Sequence, residues 1–460
     1  MTFDEKLKAR AEREGSPTPE GFDDRIANRL QSLPAPERPT RRLPLRRAVV
    51  VGIAAALCLA GAAAAPTVIS MARGAINYFD SERHTAYGSQ QDKFEAYNAA
   101  VGLSQKNGER TLTIDNIAVD DSYLNVFYTL TSETPLALPS TDATPAEIRV
   151  SLSAPHFWAV IDGKKLEPTG TIESEAYAVN DRTLKGMERI ALTRALPDEF
   201  ELLLYTGGTD AIKDAEFQFS LAVDKSAVAV ESLSVEPKID FTLDFTTWFG
   251  DPPERYDFHH EVRIERVSIS PFGSTLTLSE KADDPLTAFV LRDDQGKYLP
   301  VLPSGTIGSG IYRVSNVFEF LGADTDTKSI TLIPIGAESH SHAVEGALDA
   351  LPLTDDTEGG VTLETLQIGP DKAVATFSTE GAMFLFPQQF TLTDENGKYL
   401  SFHGDTYLDS TIDRETGLIT STLYYPQATA EDLAKVHGVT FWQDDPLTLL
   451  EDQAVTIDLQ

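Results

Sequence analysis

TLTIDNIAVDDSYLNVFYTL (residues 111–130) decides how this chain is read. Apolar and polar side chains alternate through it, and Asp120-Asp121-Ser122 interrupts the alternation with turn-forming residues. A period of two on both sides of a short turn is the pattern of an antiparallel hairpin with one buried face. VRIERVSISPFGSTLTLS (262–279) and VTLETLQIGPDKAVATFS (361–378) repeat the layout, with Pro-Phe-Gly and Pro-Asp-Lys at the turns.

A second signature follows each copy: FWAVIDGKKL (157–166), FVLRDDQGKYL (289–299) and FTLTDENGKYL (390–400). Alternation around Asp-x-x-Gly marks another hairpin, with Gly where the backbone needs positive φ. Further strand-like runs lie near 199 (EFELLLYTG), 328 (KSITLIPIG) and 436 (VHGVTFW). Three copies of one strand and turn vocabulary predict a mainly β chain of tandem antiparallel, immunoglobulin-like β-sandwiches, at 104–229, 230–337 and 338–460. Before them, 71–103 reads as a polar juxtamembrane stalk with a helix around Lys93–Val101.

Residues 48–70, AVVVGIAAALCLAGAAAAPTVIS, are uncharged and apolar. A hydrocarbon core of about 30 Å takes roughly 20 such residues as a helix, so the run predicts one transmembrane span. Arg41, Arg42, Arg46 and Arg47 precede it and orient the N-terminus to the cytoplasm. A cleaved signal peptide is the rival reading, suggested by Ala62–Ala65; a 47-residue leader is long for a signal's charged region and favours an uncleaved anchor. The formal charge is −33; residues 1–47, with eleven basic and eight acidic side chains, carry +3 and the remainder −36. So acidic an outer portion argues against nucleic acid as a partner. The one cysteine, Cys58, falls inside the apolar run, which leaves the outer portion to be held by packed cores without disulfides.

The cytoplasmic segment has helical periodicity at Phe3, Leu7 and Ala11 and again at Phe22, Ile26 and Leu30, followed by a proline-rich spacer. Two helices this short bury too little to fold alone. The segment is either a frayed tail or one that orders on a partner through its apolar face.

The outer portion offers no catalytic constellation, and no cofactor or metal is expected. His259 and His260 are adjacent on a strand and face opposite ways. His340 and His342, flanked by Glu338 and Glu345, lie between modules. The acids of Asp293-Asp294-Gln295-Gly296 and Asp394-Glu395-Asn396-Gly397 are turn residues without the further oxygens of a calcium loop. Trp158, Trp248 and Trp442 are expected in cores.

KNGERTLTIDNIAVDDSYLNVFYTL (106–130) and the pre-membrane ARAEREGSPTPEGFDDRIANRLQSLP resemble a family of single-pass envelope proteins of Gram-positive Firmicutes. Members are commonly regarded as anti-sigma factors for extracytoplasmic-function sigma factors. The resemblance implies a regulator whose Phe22, Ile26, Leu30 and Leu33 engage such a sigma factor, while the β modules meet an envelope ligand of unknown kind. Its departures are a cytoplasmic part of only 47 residues and no His/Cys zinc motif. The competing expectation is a membrane-anchored adhesin or envelope-binding protein without signalling.

Overall fold

One extra residue interrupts the same place in all three repeated hairpins of the computed structural model. Strand register shifts between Ile114 and Asn116, between Ile264 and Arg266, and between Leu363 and Thr365. The residue passed over is acidic each time. Asp115 accepts a hydrogen bond from the Thr129 hydroxyl (2.7 Å), Glu265 from Ser279 (2.5 Å) and Glu364 from Ser378 (2.5 Å), always 14 residues further on. Such a bulge flips the alternation by one position. Ile114 and Ile117, three residues apart, therefore both reach the core, as do Ile264 and Val267.

The structure describes residues 66–79, 86–138, 154–166, 174–207, 212–249, 254–281, 289–308, 314–336, 341–354, 360–382, 385, 387–444 and 447–460. The cytoplasmic segment, its anchors Phe22, Ile26, Leu30 and Leu33, and Arg41, Arg42, Arg46 and Arg47 lie outside them, as does the apolar run up to residue 65. No helix among the described residues is long and apolar enough to cross a membrane.

The described strands form six sheets, which face each other as three pairs over three cores. Each pair has a larger sheet built around the bulged hairpin, larger in the first pair by strand length alone, since both of its sheets have five strands. In the first its order is Ala99–Asn107, Arg110–Val119, Tyr123–Ser132, Thr183–Ala191, Glu175–Asn180. In the third it is Leu353–Thr354, Val361–Ile368, Lys372–Thr379, Ile419–Tyr424, Tyr407–Ile412. The second follows the same path through Glu254–Ile269, Ser274–Lys281, Val314–Phe320 and Val301–Gly308, with Leu233–Val235 and Ile239–Phe249 both on its first long strand. Each smaller sheet joins an Asp-Gly hairpin to the later strand near 199, 328 or 436.

Those hairpins close as turn chemistry requires. Asp293 accepts the N–H groups of Gln295 and Lys297, and Asp394 those of Asn396 and Lys398. Gly296 (φ 85°) and Gly397 (φ 75°) take the left-handed position.

The structure corrects several boundaries. Residues 67–70, expected as the end of the transmembrane helix, are instead a strand: Thr67–Ser70 pairs in parallel with Leu221–Asp224 of the first smaller sheet. Pro66 cannot continue a helical hydrogen-bond ladder, and Thr67-Val68-Ile69 is β-branched throughout. Residues 71–103 are not a stalk. Ile76, Tyr78, Tyr87 and Phe94 are buried against the first pair, and Ala99–Asn107 belongs to its larger sheet. The helix expected around Lys93–Val101 is Gln91–Ala96; the Asn98 amide, which donates to the carbonyls of Phe94, Glu95 and Gly74, ends it.

The stretch 338–460 is not one module either. In the first pair the strand after Glu199–Thr206 folds back beside it, as Phe217–Asp224. In the second pair the corresponding place beside Ser329–Pro334 is taken by Val455–Asp458, the last strand of the chain. Ser341–Ala347, which follows Ser329–Pro334 in sequence, instead pairs with Gly438–Asp444 in the third. Strands are thus exchanged between the second and third pairs, and Ile457 and Leu459 complete the second core.

Candidate functional site

The residue after each bulge points away from its own core, and reading straight across the strands from it gives three equivalent rows. In the first larger sheet the row is Asn116, Phe127, Met187, Glu175. In the second it is Arg266, Thr277, Val317, Gly305, and in the third Thr365, Thr376, Thr420, Thr411. Two residues further along the strands, the next rows contain Ala118, Asn125 and Arg189; Ser268, Thr275 and Glu319; and Gln367, Val374 and Thr422.

The first two of these faces meet. Arg189 and Glu319 occupy the same position of the repeat and form a two-pronged ion pair, Nη2 to Oε1 at 2.9 Å and Nη1 to Oε2 at 3.1 Å. Both side chains are fully buried. Arg414, from the turn between Tyr407–Ile412 and Ile419–Tyr424 of the third pair, donates to Glu319 Oε2 at 3.1 Å. One carboxylate therefore joins guanidinium groups from the first and third pairs. The Tyr87 hydroxyl and Phe272 carbonyl also accept from Arg189, and the rings of Tyr87 and Tyr123 lie 4.8 and 3.5 Å from its guanidinium carbon.

The two turns that the sequence marked in the first and second repeats interlock beside this pair. Asp120 accepts from Ser122 and Tyr123 N–H in its own turn and from Phe272 N–H (2.8 Å) in the other. The Ser270 hydroxyl donates to Ser122 Oγ at 2.7 Å. Gly273 is the one residue that fits between them: a Cβ there would stand 2.6 Å from Glu319 Oε1 and 2.7 Å from Arg189 Nη2. Loss of water pushes the Asp120 carboxyl up to about 6 despite its hydrogen bonds. Arg266, also buried, donates to the carbonyls of Leu192 (3.1 Å) and Asp121 (2.6 Å) and to Ser234 Oγ; burial lowers its pKa. Lys225 pairs with Asp121 at 2.7 Å.

Residues 71–79 and 86–98 reach all three pairs. Phe94 stacks on Phe272 of the second, ring centroids 4.8 Å apart. Tyr78 packs on Phe127 and Tyr177 of the first. Gln90 donates to the Arg414 carbonyl, Arg414 N–H to the Ala86 carbonyl, and Lys93 pairs with Glu415 of the third. Glu175, from the first row, accepts from Ala86 N–H (2.9 Å) and the Tyr78 hydroxyl (3.1 Å); desolvation raises its carboxyl to about 7.

This junction clamps the three sheet pairs together. Its carboxylates are engaged by guanidinium, ammonium, hydroxyl and backbone donors. Among the described residues no three His, Cys, Asp or Glu side chains converge as a metal site. His259 is exposed beside Asp244, while His260 is buried near Glu280 on the opposite face. Trp158 is half-buried under Lys165, and Trp442, expected in a core, is 38% exposed because it lies between the inward Phe441 and the buried Gln443. The sequence reading missed Arg189, Glu319 and Arg414 because charges at outward strand positions and turn tips read as solvated. The available signal was opposite charge at one repeat position, together with an apolar Phe272 at a turn.

A comparison with curated proteins gives no match. Among solved structures, the chain is similar to one described as the crystal structure of the conserved domain protein from Bacillus anthracis. That match has 11% identity and a TM-score of 0.34, over 79% of this chain and 92% of the other. Residues 43–132, from within the arginine cluster through the apolar run to the end of the first bulged hairpin, match the family model described as a domain of unknown function (DUF4179).

Proposed function

We propose that the chain is a single-pass membrane regulator of the anti-sigma type. In this reading residues 48–66 cross the bilayer, with Arg41, Arg42, Arg46 and Arg47 on the cytoplasmic side. Residues 1–47 hold an extracytoplasmic-function sigma factor through Phe22, Ile26, Leu30 and Leu33. The three sheet pairs act outside as tandem immunoglobulin-like modules.

The observation that supports this is the absence of a spacer after the apolar run. Residue 67 already begins a strand hydrogen-bonded to Leu221–Asp224, and the chain continues through Tyr78, Tyr87 and Phe94 into the junction of all three pairs. A loosened junction would free residues 71–98 and release the four-residue edge strand that holds the end of the apolar run, since short edge elements open at low cost. Freed, 74–98 is a substrate for a first proteolytic cut, and Ala62–Pro66 for a second.

Co-purification tests the reading. The tagged full chain, extracted from membranes of a Gram-positive host, should bring down a sigma factor, and the 39–460 chain should not. Deleting 1–38 should also alter transcription. Recovery of no sigma factor by the full chain, with unaltered transcription, leaves the adhesin reading in its place.

A further inference from the structure

The third larger sheet turns to solvent the face that its two counterparts bury. Asn116, Phe127 and Met187 in the first sheet and Arg266, Thr277 and Val317 in the second are buried. In the third, Thr365 is exposed and Thr376, Thr420 and Thr411 are half-buried. These four threonines stand side by side across four strands, a row about 14 Å long at the usual strand spacing. The hydroxyls of Thr365 and Thr376 lie 2.6 Å apart. Thr362 and Ser378 continue the face on one side. On the other come Gln367, Val374, Thr422 and Asp409, then Lys372, Tyr424 and Tyr407. The two tyrosine rings stack at 4.5 Å and 13°, and Tyr407 is 42% exposed.

Three properties narrow what fits this face. In a chain of formal charge −33, these rows carry one carboxylate, Asp409, and one ammonium, Lys372, with the bulge acid Glu364 beside them on Ser378. Nothing there would hold a polyanion, which the surrounding charge repels. Val374 is the only aliphatic residue in these rows, too little for the apolar centre of a protein interface or a second copy of the chain. The hydroxyls, each a donor and an acceptor, are carried on β-branched side chains with few rotamers, so little freedom is lost when they bind. We propose that this face binds a neutral, extended hexopyranose oligosaccharide, with the threonine row facing its hydroxyls and the tyrosine pair facing the apolar side of one sugar ring. The inference supplies the outer ligand of the function proposed above and rests on the placement of these modules outside the cell.

Titration calorimetry of the full chain in a sugar-free detergent tests it, with chitotetraose and cellotetraose as neutral probes and lipoteichoic acid as the polyanion. At least one tetraose should bind at millimolar concentration or below. The Thr376→Val/Thr420→Val variant, which keeps the shape and removes two hydroxyls, should weaken binding about tenfold with an unchanged melting midpoint. Tyr424→Ala should weaken it independently of the hydroxyls. Binding of neither tetraose, wild-type binding by the double valine variant, binding of lipoteichoic acid alone, or self-association abolished by Thr420→Lys would each overturn the proposal. Failure here leaves sigma-factor co-purification untouched, and the reverse also holds, so the two readings fail separately.

Discussion

The first and third larger sheets share a strand order, a bulge and a bonded bulge acid, yet one buries its outer face and the other leaves it open. The difference lies in what each row carries. Phe127 and Met187 gain by leaving water, and Arg189 finds a carboxylate of opposite charge at the equivalent place in the second sheet. Thr376, Thr420 and Thr422 gain little from either. A repeat can thus keep its inner face and hairpins constant while its outer rows decide whether it associates or stays available.

Removing the shared carboxylate should break this contrast most severely. Glu319→Ala removes the carboxylate that the buried Arg189 and the largely buried Arg414 share, a loss of about 3–5 kcal/mol in chemical denaturation. Thr422→Ala, at the matching position of the open face, should change stability by no more than about 0.5 kcal/mol. Similar costs for the two would mean that the rows are not the difference between the faces.

Ile457→Ala probes the exchanged strand. Its side chain is fully buried in the second core although the residue follows the whole third pair in sequence. A loss of about 2–5 kcal/mol is expected, as for other buried isoleucines. Hydrogen exchange should rise first in Ser329–Pro334. A rise confined to Gly438–Asp444 would contradict the exchange.

A smaller effect sharpens the contrast through pH. Glu175 in the first row corresponds to Thr411 in the third. Its carboxyl binds a proton more tightly in the folded chain (about 7, against 4.5 unperturbed); burial and the Asp409 charge raise it, while Ala86 N–H, the Tyr78 hydroxyl and Arg414 pull it down. Asp120 behaves alike (about 6 against 3.8). Their contribution to stability is complete below the unperturbed values and is lost as pH rises through about 6 for Asp120 and about 7 for Glu175. The melting midpoint should therefore rise from pH 7.5 to 5.5, and in Glu175→Gln that rise should be smaller by about 2 °C or more. An equal rise in the variant would place Glu175 outside the linkage.

Much of the fold was legible in the alternation. The mainly β character, the repeated hairpins and the Asp-Gly turns follow from patterns local in sequence, where periodicity and turn chemistry act over a few residues. The bulge was not legible, because Asp115, Glu265 and Glu364 each look like one more polar residue until the partner strand supplies a hydroxyl. The polar composition of 71–103 read as a stalk, and only its packing on Phe127 and Phe272 shows why Tyr78, Tyr87 and Phe94 are there.

The amino-acid sequence by itself determined the repeat, the inner faces of its strands, the acidic charge and the apolar run before residue 67. Tertiary structure alone decided which outer faces join, which strand completes which sheet, and that Arg189, Glu319 and Arg414 share one buried site. The physical reason is range. Alternation and turns are settled between neighbours along the chain, whereas a strand edge accepts any partner with matching register, and a buried charge is stable only beside a countercharge that the chain brings from more than a hundred residues away.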